Sequence, residues 1–189
     1  METNRGRLAL LLIVIGAVGM IYLGFFTPTT YNIARAEAIA DNYKKSLNSP
    51  DIAVGEIMEF EQNFYVVYFE KTTGIGAFEM LIDKESGRIF PEYGHGGMMG
   101  SPGGMMGGFT QIPSGGDIDE EEALQIAQRF LDEVYPGSEA DDPHPFYGYY
   151  TIHTIKDGEI FGMLSVNTYD GAVWYHNWHG EYIQSLESH

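Results

Sequence analysis

The sequence predicts an α+β fold. It would hold two tandem units, each one helix packed on an antiparallel β-meander, preceded by a single transmembrane helix. Three observations carry the prediction. An unbroken apolar run lies near the N-terminus, the chain beyond it repeats itself, and in each copy one stretch of helical spacing precedes several short β-type runs. The expected organisation is a cytoplasmic tip and anchor at 1–29, a first unit at 30–93 and a Gly/Met-rich hinge at 94–117. A second unit at 118–184 and a tail at 185–189 complete it.

The anchor comes first in the chain. Leu8 to Phe26 reads LALLLIVIGAVGMIYLGFF, close to the ~20 residues a helix needs to cross the hydrocarbon. Arg5 and Arg7 precede it and no basic residue follows before Arg35, which places the N-terminus in the cytoplasm and the main body outside, on a single-pass cell-membrane protein. A cleaved signal peptide with Ala34-Arg35-Ala36 as its site is the alternative. The run exceeds the ~7–15 residues of a signal core, and cleavage after Ala36 would remove the start of the first predicted helix.

Asn32 can cap that helix, whose inward stripe is Ala36, Ile39, Ala40, Tyr43 and Leu47. Asn48-Ser49-Pro50-Asp51 stops it. Strand-like runs follow at Ile57 to Phe60, Phe64 to Glu70, Ala77 to Ile82 and Arg88 to Tyr93, separated by Gln62-Asn63, Thr73-Gly74 and Ser86-Gly87. The hinge, Gly94 to Asp117, is so rich in Gly that ordering it would be costly in backbone entropy.

In the second copy Asp119 is the expected N-cap, with Glu122 at the third helical position. Glu120, Glu121 and Glu122 would sit at the positive end of the dipole. A calcium loop would need spaced oxygen ligands and a central Gly, which are missing. The helical stripe is Ala123, Leu124, Ala127, Phe130, Leu131 and Val134, and strands are expected at Tyr149 to Ile155, Ile160 to Val166 and Val173 to Trp178. Asp157-Gly158 is a hairpin-turn signal.

The two copies align over a long register. Asp83 to Phe90 falls on Asn167 to Trp174, His95-Gly96 on His179-Gly180, Lys71 to Gly74 on Ile155 to Gly158, and Met80 to Ile82 on Leu164 to Val166. Glu37-Ala38-Ile39 meets Glu122-Ala123-Leu124 after a slip of one residue. The helix openings Glu-Ala-Ile and Glu-Ala-Leu, and the closing motif Asp83, Gly87, Ile89 (Asn167, Gly171, Val173 in the second copy), resemble the PepSY family. This small domain occurs in propeptides of thermolysin-like peptidases and in membrane-anchored germination proteins. The resemblance implies an extracytoplasmic module that modulates a peptidase or another partner protein, and it transfers no catalytic residue.

Composition narrows the chemistry. A formal charge of −17 makes nucleic acid and anionic headgroups poor partners. The absence of Cys removes disulfides, thiolate metal sites and thiol catalysis. No HExxH, GxSxG, Walker loop or dinucleotide fingerprint occurs, so a non-enzymatic protein is expected. The suggestive residues are soft or borderline metal ligands: His95, Met98, Met99, Met105 and Met106 in the hinge, and His176 and His179 after an aromatic strand. They suggest a copper-handling or metallocofactor-accessory protein as the alternative function, with a structural subunit of a membrane complex as a third. The competing account has the Met pairs dock the hinge as pliable apolar groups. It also has strand alternation place His176 and His179 on opposite faces, and reads His153 as a packed or half-exposed strand residue. His144, within Asp142-Pro143-His144-Pro145, is a further suggestive histidine.

Overall fold

The structure, a computed structural model, describes residues 31–92 and 116–187, and among these Asn32 and Asp119 start the two helices. Asn32 Oδ1 accepts from the Arg35 backbone N–H at 3.0 Å and opens α1 (Ile33–Ser46). Asp119 Oδ1 accepts from the Glu122 N–H at 2.9 Å and opens α2 (Glu120–Val134). The acidic run is therefore a helix start, as its composition predicts.

Among the described residues nine strands accompany the helices. They are β1 (Ile52–Phe60), β2 (Asn63–Glu70), β3 (Gly76–Asp83), β4 (Ile89–Pro91), β5 (Glu139–Phe146), β6 (Tyr149–Lys156), β7 (Glu159–Asn167), β8 (Val173–Tyr175) and β9 (Tyr182–Glu187). The internal repeat is visible at the turns before β4 and β8. Gly87 donates to the Asp83 carbonyl at 2.9 Å and Gly171 to the Asn167 carbonyl at 3.0 Å, with φ of +66° and +69°. Glycine suits both positions because a Cβ would strain that backbone.

Two separate helix-on-meander units are not what forms. All nine strands belong to one mixed sheet, in the order β8-β7-β6-β5-β3-β2-β1-β9, with β4 also paired to β3. Two pairings cross between the copies. β3 runs parallel to β5 at Gly76–Phe146, and β9, from the end of the chain, lies antiparallel to β1 from Glu56–Glu187 to Phe60–Tyr182. Each copy leaves edge backbone groups that the other satisfies, so a single sheet replaces the expected pair.

The transmembrane expectation is corrected as well. Among the described residues no helix is long and apolar enough to cross a membrane. Leu8 to Phe26, where the anchor was expected, lies outside the described residues. Membrane attachment through an N-terminal helix, the single-pass location and the extracytoplasmic body therefore have no structural basis among the described residues.

Three apolar clusters show how the sheet is bent. α1 covers Val54, Ile57, Phe64, Val66, Tyr68, Met80 and Ile82 of β1 to β3. α2 covers Ile152, Leu164 and Val166 of β6 and β7. The face without helices gathers Met58 and Phe60 of β1, Tyr65 and Val67 of β2, Leu81, Phe146 and, from β7, Met163. β1 and β7 stand far apart in the strand order yet share this cluster, and β7 also contacts β9. The sheet therefore curls with its helix-free face inward, and the polar side chains on that face are buried with it.

Candidate metal centre

The polar stripe starts at Glu79 of β3, only 4% exposed although it lies in the apolar run Ala77 to Ile82. Three hydroxyls donate to its carboxylate. Tyr65 and Thr151 reach Oε1, Thr151 at 2.7 Å, and Tyr149 reaches Oε2 at 3.0 Å. A carboxylate with several donors can be kept in a dry interior. Burial, then the Glu79 charge, pushes the Tyr65 and Tyr149 hydroxyls well above the usual tyrosine range.

Because Thr151 donates to Glu79, its oxygen accepts from the Ser165 hydroxyl at 3.1 Å. Ser165 Oγ, having given its proton, accepts in turn from His176 Nε2 at 2.9 Å. This chain puts the His176 proton on Nε2 and leaves Nδ1 facing Glu92 Oε1 at 3.8 Å. A similar argument fixes His179. Asn63 donates through Nδ2 to the Trp178 carbonyl at 3.3 Å, and its Oδ1 accepts from His179 Nδ1 at 2.8 Å. His179 Nε2 is then a lone pair, 3.5 Å from Glu92 Oε1.

Glu92, His176 and His179 bring one ligand atom each to within 4.8 Å of one another. Their side chains are 1%, 0% and 1% exposed. Glu92 Oε1 accepts from the Trp178 indole N–H. Glu92 Oε2 and His179 Nε2 are buried without a hydrogen-bond partner. Stacking holds the rings in place, His179 on Phe60 with centroids 4.5 Å apart and His176 on Trp178 at 4.8 Å.

Burial decides the charge states. It pushes the Glu92 carboxyl well above the carboxylate range, helped by the nearby Glu79 charge and opposed by the Trp178 N–H. It pushes His179 down to about 4, with Glu79 opposing. The imidazole is thus held neutral, the form that binds metal. A metal ion would displace the proton from Glu92, as cations do from buried ligands.

His176 and His179 are brought together, with ring centroids 5.6 Å apart. Alternation does not part them, because β8 ends at Tyr175 and the chain turns, Asn177 donating to the Tyr175 carbonyl at 3.1 Å. His95, Met98, Met99, Met105 and Met106 lie outside the described residues. His153 is 5% exposed, the packed alternative of the two expected for it. Sequence reasoning missed Glu92, which had no local signal at the end of a short strand. It also missed Glu79, whose signal was a lone acid inside an apolar run. No family model matches this chain, and no curated protein or solved structure does either.

Proposed function

We propose that the chain is a non-enzymatic metal-binding module in which Glu92, His176 and His179 hold one divalent transition-metal ion. One observation carries the reading. Three ligand atoms converge within 4.8 Å, while the opposite nitrogens of both imidazoles are engaged by Asn63 and Ser165. Second contacts of that kind orient metal-bound histidines and fix their tautomers. The two imidazole nitrogens and the Glu92 carboxylate would hold such an ion, the carboxylate through one or both oxygens. Bonds of about 2.0–2.2 Å would require the ligands to close in by on the order of 1 Å.

Imidazole and carboxylate suit Zn²⁺ or a similar borderline ion, whereas Cu(I) prefers sulfur and Ca²⁺ an all-oxygen shell. The three side chains are at most 1% exposed, which favours a resident structural ion over one that turns over substrate. Regulation of a peptidase or other partner, the role implied by the PepSY resemblance, is compatible with such a module and rests on the sequence motifs alone.

The test is a Zn²⁺ titration of the metal-stripped full chain against a chromophoric chelator. One tight equivalent should be lost in Glu92→Gln and in His179→Gln. It should persist when Met98, Met99, Met105 and Met106 are all replaced by Leu. Retention of that tight equivalent in both single variants, or its loss in the methionine variant alone, would overturn the reading.

A further inference from the structure

A second cluster lies on the same inward face, on different strands. It is built where two strands lose their regular pairing. The β1–β2 register shifts between Val54 and Ile57, around Gly55 and Glu56. The β5–β6 register shifts between Asp141 and Pro143, and Asp142, at the shift, has φ of +52°. Such bulges re-aim side chains and gather beside functional sites. These two, from opposite copies of the repeat, point Glu56, Asp142 and His144 into one cavity of about 340 Å³.

His153 of β6 completes the group. Its Nε2 lies 3.3 Å from Glu56 Oε2, and its Nδ1 lies 3.5 Å from Asp142 Oδ2. His144 Nε2 bonds the same Asp142 oxygen at 3.1 Å. Glu56, His144 and His153 each offer a ligand atom within 4.8 Å of the others. The side chains of Glu56 and His153 are 5% and 6% exposed, and Glu56 Oε2 is buried without a hydrogen-bond partner. His144 and Asp142, 29% and 64% exposed, stand at the mouth. The cluster is therefore dry on its inner side and open on the other.

We infer that Glu56, His144 and His153 form a second, exchangeable site for a divalent transition-metal ion, with a coordination position left open to the cavity for a small exogenous ligand. Two imidazoles and one carboxylate with open positions suit Fe²⁺, Zn²⁺ or a similar ion. Asp142 supplies a further carboxylate at the rim. This inference goes beyond the buried centre and shares no residue with it. A plain ion pair is the competing account. Burial pushes His153 down, but Glu56, followed by Asp142 and Asp141, raises it above its ordinary value, so a protonated ring could fill the space between the acids.

Co²⁺ titration of the metal-stripped full chain, followed by its visible bands, separates the accounts. Azide is then added as the exogenous ligand. The wild type should bind two equivalents, and azide should shift the bands of one alone. His179→Gln should keep the azide-responsive equivalent. His144→Gln, a change at the cavity mouth that spares the interior, should weaken that equivalent at least about tenfold and leave the other intact. His153→Gln, checked for folding by its melting curve, should do the same. No azide-responsive band in the wild type, or one unchanged in His144→Gln, would overturn the inference whatever becomes of the buried centre. A wild type that shows the azide-responsive band without an azide-insensitive one would count against the buried centre and uphold the open site.

Discussion

Tyr65 and Tyr149 show how single residues pay for a buried acid. Each donates its hydroxyl to Glu79, and burial followed by that charge raises both above the ordinary value of 10.0. The folded state therefore keeps protons that the unfolded chain releases near pH 10. Their contribution to stability is fully present below about pH 10 and is lost as pH rises towards their folded values. Spectrophotometric titration should show Tyr65 and Tyr149, along with the buried Tyr68, ionising only as the protein unfolds, with urea midpoints falling above that pH. Replacing Tyr65 and Tyr149 with Phe should flatten the alkaline fall. Free ionisation of Tyr65 and Tyr149 in the folded protein near pH 10 would contradict the network.

At the scale of the element, the junction between the copies depends on one small residue. A Cβ on Gly76 would come within 2.2 Å of the Phe146 ring, where β3 and β5 meet. Gly76→Val should destabilise by about 1–3 kcal/mol through overpacking, read as a lower urea midpoint. An unchanged midpoint would show that the junction contributes little. The strands that sequence reasoning identified are those with Val, Ile, Phe and Tyr alternation. β5 escaped because EADDPHPF holds two prolines and three acids, a composition that argues against a strand. It is tolerated because β5 pairs with β3 only at Phe146, leaving most of that edge without hydrogen bonds to lose. β9 escaped because its partner, β1, is more than a hundred residues away.

For the whole molecule, the curl was the illegible step. Tyr149, Thr151 and His153 on β6, with Met163 and Ser165 on β7, read locally as the face away from the helix. Nothing in a strand's own alternation tells whether that face meets water or another part of the sheet. Long-range closure buries it, gathering histidines and carboxylates into two clusters. The duplication in the sequence was legible, but its outcome as one sheet was not. One sheet with shared clusters predicts one unfolding transition. α1 and α2 should lose protection from hydrogen exchange at the same urea concentration. Two separated transitions, one per copy, would restore the tandem-unit reading.

An ion held by Glu92, His176 and His179 would carry its ligands into its absorption spectrum. X-ray absorption on the chain loaded with one equivalent of Zn²⁺ tests that binding most directly. The predicted first shell is two imidazole nitrogens and one or two oxygens at about 2.0–2.2 Å, without sulfur. The imidazole scattering should be halved or lost in His179→Gln. A shell containing sulfur near about 2.3 Å, or one lacking imidazole, would contradict the account.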